Sequence, residues 1–187
     1  GISGTNSPVN PDDPDAEYTF SWSRPAVHGT PPAHRVAHSS VLLHLPDSEG
    51  GPRMVVFGGA GYRFMFSDLH SLRITHPRHT SYFEWEEVES EGEGVSTRYS
   101  HVAQPIGVGP GSNSMLVYGG VSLNAQVMND IFVMQLRQTS AGILIGQWSR
   151  PAVLTPPPLA RSKMSLVYTP SGFIVFGGND EPTSDRP

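Results

Sequence analysis

Trp22, Trp85 and Trp148 stand 63 residues apart in two equal steps, and Arg35, Arg98 and Arg161 each follow their tryptophan by 13. A repeat of that length constrains the fold strongly, because each unit must be one supersecondary motif that buries its apolar face by stacking on its neighbours. The phrases around these landmarks repeat as well. Arg35-Val-Ala-His38 matches Arg98-Tyr-Ser-His101, while the third copy, Arg161-Ser-Lys-Met164, has methionine where the histidine stood. Three apolar runs then end in a glycine pair: Met54 to Phe57 before Gly58-Gly59, Met115 to Tyr118 before Gly119-Gly120, and Phe173 to Phe176 before Gly177-Gly178. Asp68 and Asp130 open the next runs, 10 and 11 residues after the first glycine of their pair.

Alternation of period 2 and the β-branched and aromatic content make these runs strands of about six residues, four to a repeat. The first unit is expected to hold strands near 38–43, 53–58, 69–74 and 82–88, and the second near 100–105, 114–119, 131–136 and 146–150. The third shows two, near 163–168 and 172–177, and a strand carrying Trp22 near 19–24 precedes them all. With 20 Gly and 18 Pro in 187 residues, long helices are disfavoured and tight connections expected, so a helical bundle or coiled coil is excluded. The fold class is all-β. Four antiparallel strands at this period, the second closed by a glycine pair, describe a propeller blade.

Arginine and histidine before the first strand, a glycine pair ending the second, an aspartate opening the third and a tryptophan in the fourth together resemble the kelch repeat family. The resemblance covers residues 22 to about 178 and implies a kelch-type β-propeller, with blades at 35–88 and 98–150 and a partial blade at 161–178. Residues 1–18 are expected to be a linker or tail, and 19–187 the propeller segment. For function the family implies a range: substrate adaptors, actin binders, trafficking effectors, scaffolds beside phosphatases or methyltransferases, and occasional enzymes.

Elementary chemistry gives each repeated residue an architectural task. Glycine pairs allow positive φ and close backbone approach. A tryptophan on an outer strand can cover apolar area against the next blade. The arginines are expected to bridge blades through backbone carbonyls, and Asp68 and Asp130 to accept from loop N–H groups. His38 and His101 occupy equivalent places in separate blades, which suits structural hydrogen bonding rather than a metal or catalytic site.

Eleven strands fall short of the sixteen or more that a closed propeller of about four to eight blades needs. The chain is therefore expected to be a segment of a longer propeller, ahead of closure by a second copy or different chain, or of an open structure inside a larger assembly. Gly1, where an initiator methionine would stand, reads as a processing boundary.

Zero cysteines exclude disulfides, thiolate metal sites and a cysteine nucleophile, and point to the cytoplasm or nucleus. No apolar run approaches bilayer length, so no membrane insertion is expected. A net charge of −5 offers no basic field for nucleic acid. The acidic run Glu84, Glu86, Glu87, Glu89, Glu91 and Glu93 around Trp85 reads as a solvated rim, with docking of a basic partner as the other reading.

In this topology the connection between second and third strands and the approach to the first strand share one face, and loops carry a repeated scaffold's specificity. The segment Tyr62-Arg63-Phe64-Met65-Phe66 has the residue types enriched at binding hot spots, and Leu123 and Met128 mark the corresponding loop of the next unit. These seven residues are the candidate binding site, with insertion of the aromatics between blades as the structural alternative. No catalytic motif occurs and no cofactor is expected. The copper oxidase members would need a cysteine; the iron-dependent members direct attention to His70, His76 and His79. The expected function is a protein-interaction module or scaffold binding a protein partner through its loop face. One alternative is a structural subunit with buried blade edges, and another is a regulatory domain attached to an enzyme such as a phosphatase or methyltransferase.

Overall fold

The computed structural model of the chain describes residues 22, 24–75, 82–107, 109–169 and 171–181. The expected tail at 1–18, His76, His79 and most of the strand expected at 19–24 lie outside them; Trp22 itself belongs to no strand and is 99% exposed.

Alternating sequences produce strands wherever they were expected after residue 35. The first blade is an antiparallel meander of β2 (Ser39–His44), β3 (Pro52–Phe57), β4 (Leu69–Thr75) and β5 (Tyr82–Gly92). In the second, β7 (Val102–Ile106), β8 (Ser114–Ser122), β9 (Val127–Gln138) and β10 (Leu144–Ser149) pair in the same order, and the short β6 (Arg98–Tyr99) adds to β8. The third retains the hairpin β11 (Ser162–Thr169) with β12 (Gly172–Asn179). The molecule is an incomplete propeller.

One more strand, β1 (Val27–Gly29), exposes a device that alternation could not announce. It pairs in parallel with β5, setting Gly29 opposite Trp85. Sixty-three residues later the end of β5 pairs in parallel with β10, setting Gly92 opposite Trp148. The strand leaving one blade thus becomes a short neighbour of the next blade's outer strand, and β5 joins two blades into one continuous ten-stranded sheet. Both glycines have positive φ, 74° and 87°, and a Cβ on either would collide with the facing tryptophan's carbonyl. No other residue type fits there without displacing the strand.

The first and second blades share a single core. Val41, Leu43, Val55, Phe57 and Leu69 meet Met115, Val117, Phe132, Met134 and Trp148. Trp148, 3% exposed, lies with its ring centroid 4.9 Å from that of Phe57 and 6.3 Å from that of Phe132. It therefore packs back on the preceding blade, where the sequence suggested the following one. Burial of large side chains of this kind contributes roughly 1.5 to 3 kcal/mol each.

Hydrogen bonds at the two blade junctions repeat bond for bond. Between the first and second blades, the second glycine N–H (Gly59) donates to the Arg98 carbonyl at 2.8 Å, the Arg98 N–H to the Phe66 carbonyl at 3.2 Å, and the Ser100 N–H to the Ala37 carbonyl at 2.9 Å. Between the second and third, Gly120, Arg161 and Lys163 donate to Arg161, Met128 and Ser100 at 3.0 Å each. Ala37, Ser100 and Lys163, spaced by 63, all adopt left-handed φ of 53° to 56° without being glycine. Such a conformation costs about 1 kcal/mol or more per residue, and its recurrence shows that the junction geometry demands it.

The acidic run on β5 is largely neutralised rather than left as a bare rim. Glu84 pairs with Arg73, Glu86 with the fully buried Arg53, Glu91 with Arg137 at 2.9 Å, and Glu93 with Arg150 at 3.4 Å. Arg73 lies on β4 beside β5, while Arg53 on β3 and Arg137 on β9 reach across one intervening strand; Glu87 and Glu89 remain exposed.

Candidate functional site

The repeated arginines act inside their own blades. Arg35 donates to both carboxylate oxygens of Asp68, at 2.6 and 2.9 Å, and to the Gly58 carbonyl at 3.0 Å. Arg98 does the same with Asp130, at 2.8 and 2.9 Å, and with Gly119 at 3.1 Å. Arg161 reaches Gly177 at 2.9 Å. The expected bridge between blades is instead supplied by the arginines' backbone, because the planar guanidinium finds its bidentate partner in the aspartate that opens the blade's own third strand. Burial alone would raise the Asp68 carboxyl, but hydrogen bonds from Arg35 and His70 outweigh it and hold the group below its ordinary value.

This lock ties together the two ends of the loop between β3 and β4. Above it the Gly61 N–H donates to the Phe64 carbonyl at 2.7 Å and the Phe66 N–H to the Gly59 carbonyl at 2.9 Å, closing a tight turn. Phe66 lies beneath the Arg35 guanidinium, 4.1 Å from it, and belongs to the turn's base. The corresponding turn after β8 is closed by Ser122 N–H to Gln126 O at 2.9 Å and Ala125 N–H to Ser122 O at 3.0 Å.

Between these turns lies a cavity of about 260 Å³ lined by Tyr62, Arg63, Phe64 and Met65 on one side, Leu123 and Ala125 on the other, with Tyr99 and Ser122 also contributing. Tyr62, Phe64 and Leu123 are largely exposed, and Arg63 places its guanidinium 5.6 Å from the Tyr62 ring centroid. Five of the seven candidate residues thus come together. Phe66 and Met128 sit at the blade junctions, where their carbonyls accept the backbone N–H groups of Arg98 and Arg161. Sequence reading missed Tyr99, Ser122 and Ala125; only stacking of the two blades brings them to Tyr62. The pocket offers aromatic and aliphatic surface with one cation at its edge, a combination suited to binding side chains.

The histidines divide by position. His38 is exposed, whereas His101 is buried against Phe57, with ring centroids 5.2 Å apart, and shares a 2.8 Å hydrogen bond with Ser39 of the preceding blade. His70, named above with the iron-dependent members, bonds through Nε2 to Asp68 at 3.0 Å, whose carboxylate is already engaged by Arg35. Among the described residues no group of three or more His, Asp or Glu is placed to hold a metal ion, and no helix is long and apolar enough to cross a membrane.

Residues 15–186 match the sequence model of the KLHDC2/KLHL20/DRC7 Kelch-repeats domain. The chain is similar to Kelch domain-containing protein 2 of Bos taurus, 29% identical over 112 residues, which are 60% of this chain and 23% of that protein; it spans less than a quarter of the relative's length. A chain in the cryo-EM structure of RAG in complex with one melted RSS and one unmelted RSS aligns with a TM-score of 0.37 at 11% identity, over 80% of this chain and 68% of that one. The 63-residue period, the arginine-aspartate locks, the glycine pairs and the family match over nearly the whole sequence agree, and the chain belongs to the kelch repeat family, whose domains are generally protein-interaction modules.

Proposed function

We propose that this chain binds a protein partner on the loop face of its propeller, at the pocket between the 61–66 and 122–126 turns. It does so as part of a stack that further blades complete, in cis or from another chain. The observation that carries this reading is the grouping of exposed Tyr62, Phe64 and Leu123 around one concavity, on turns whose bases are locked. Rigid aromatic groups lose little conformational entropy on contact, so anchors of this type bind well for their area. Binding is non-catalytic in this reading, and Arg63 supplies charge selection at the rim.

The test is capture of partners by the wild-type chain and by the double variant Tyr62→Ala, Phe64→Ala, with thermal unfolding followed in parallel. Loss of specific partners at an unchanged unfolding temperature is expected; retention of every partner overturns the reading. A second reading, a structural subunit whose blade edges are buried in an assembly, draws support from the open face of the third blade.

A further inference from the structure

We propose that Pro156-Pro157-Pro158-Leu159, on the approach to the third blade, is a docking segment for a protein module that reads polyproline II helices through an aromatic clamp of the WW type. None of these residues lines the pocket between the 61–66 and 122–126 turns, so the contact is a second one, separate from the loop-face reading.

Covalent geometry sets the segment's conformation. Proline holds φ near about −65°, and Thr155, Pro156 and Pro157 each precede a proline, which disfavours helical φ and ψ. Residues 156–161 accordingly form neither helix nor strand. A polyproline II helix has about three residues per turn and rises about 3.1 Å per residue. Pro156 and Leu159 thus share one edge about 9 Å apart, Pro157 begins the next edge, and Pro158 falls on the third.

Hydrogen bonds hold the helix by its carboxyl end. The buried Tyr118 hydroxyl is shared between the Pro158 and Leu159 carbonyls, 3.2 Å from each, and Arg161 Nε donates to the Leu159 carbonyl at 3.1 Å. The arginine bond belongs to every repeat: Arg35 and Arg98 reach the Ala33 and Ser96 carbonyls in the same way, at 3.2 and 3.3 Å. The tyrosine bond belongs to this one, because Phe57 and Phe176 stand before the other glycine pairs and have no hydroxyl.

Exposure of the ridge is a property of the repeat. One period earlier, in a complete blade, the residues at the positions of Pro156, Pro157 and Leu159 are Glu93, Gly94 and Ser96; two periods earlier they are Thr30, Pro31 and Ala33, and all six are exposed. Only the counterparts of Pro158, Pro32 and Val95, are half-buried. The third approach also lacks the residues that clasp the others to an outer strand. Thr155 replaces Gly29 and Gly92, where a Cβ would collide with the facing tryptophan carbonyl, and Pro156 replaces Glu93, whose N–H donates to the Trp148 carbonyl at 3.1 Å. Proline has no N–H to give. Pro156, Pro157 and Leu159, the last 74% exposed, therefore stand clear whatever strand lies beside them.

The ridge suits one kind of occupant. Parallel aromatic side chains grip a Pro-Pro pair such as Pro156-Pro157, and a helix already formed loses little entropy on contact. Leu159 and Ala160 stand three residues after Pro156 and Pro157, so the Pro-x-x-Pro pattern read by two-groove SH3 modules is not met. A single clamp with an adjoining apolar pocket for Leu159 matches the segment.

The test is titration of a panel of purified, isotope-labelled WW domains with the intact chain, followed through their amide shifts. Saturable shifts confined to the aromatic groove of at least one domain are expected. The double variant Pro156→Ala, Pro157→Ala and, separately, Leu159→Glu should each bind at least about tenfold more weakly, as loss of an anchor does, and keep the wild-type unfolding temperature because these positions are exposed. Pro31→Ala, in the first approach, should leave the affinity unchanged. So should the Tyr62→Ala, Phe64→Ala variant, which keeps failure of the loop-face reading distinct from failure of this one. Absence of groove shifts in every domain, or affinity that survives either change in the 156–159 segment, overturns the proposal.

Discussion

His101 is kept uncharged by its place between two blades. Burial, then the positive charge of Arg98 and the proximity of His38, push its pKa down to about 3 from 6.5. Between those values the unfolded chain takes up a proton that the folded chain refuses, so stability is lost as pH falls through this window. Asp68 acts in the same sense lower on the scale: its folded pKa is also lowered, so its contribution is intact above its unfolded value of 3.8 and is lost as pH falls below it. From about pH 6.5 to about pH 5 the histidine alone should cost roughly 1 to 2 kcal/mol. His101→Met, which copies the residue present at Met164, should remove that pH dependence. Urea unfolding of both proteins at the two pH values checks it, and an equal pH dependence in the variant refutes it. Residues of this kind were partly legible: the period located His101, and only packing revealed that it is buried while His38 is not. The left-handed residues Ala37, Ser100 and Lys163 were not legible at all, since none of the three types favours that conformation and the strain is imposed by the neighbouring blade.

At the scale of the strand, alternation and glycine pairs were enough to place ten strands, because side chains that face a shared core must recur every second residue. The parallel clasps escaped notice because β1 and the end of β5 are too short to alternate. Their signal was a glycine seven residues after Trp22 and Trp85, visible once the known period is extended. Gly92→Ala drives a methyl group into the Trp148 carbonyl at a φ that alanine disfavours, and should cost about 2 kcal/mol or more. Gly94→Ala, where the added carbon meets nothing within 4 Å, should be close to neutral. Unfolding midpoints compare the two, and amide exchange at 145–148 should accelerate in the first variant only. Equal midpoints would show that the clasp contributes no stability.

For the whole molecule, one hexapeptide shows how little a sequence means outside its stack. Trp-Ser-Arg-Pro-Ala-Val occurs at 22–27 and again at 148–153, yet Trp22 is 99% exposed and Trp148 is buried between Phe57 and Phe132. Trp148→Ala should therefore cost about 3 to 5 kcal/mol, whereas Trp22→Ala should leave the unfolding temperature of the isolated chain unchanged. Calorimetry of the pair decides it, and a comparable loss in both would mean that Trp22 has a partner. The loop-face pocket obeys the same rule. Its aromatic half could be read from Tyr62 to Phe64, but the half from Ser122 to Ala125 becomes part of one surface only when two blades are set side by side.

Ala37, Ser100 and Lys163 pass a carbonyl-to-amide bond from blade to blade in one direction. A series of identical links has polarity but no counter: nothing in a single link registers how many precede it. Blade number must then reside in the wedge angle that two packed blades enclose, and a ring closes when such wedges sum to a full turn. Gly146 meets Leu69 across that wedge, where an added methyl group would stand 2.5 Å from the Leu69 Cδ1 and force the packing of the two blades to readjust.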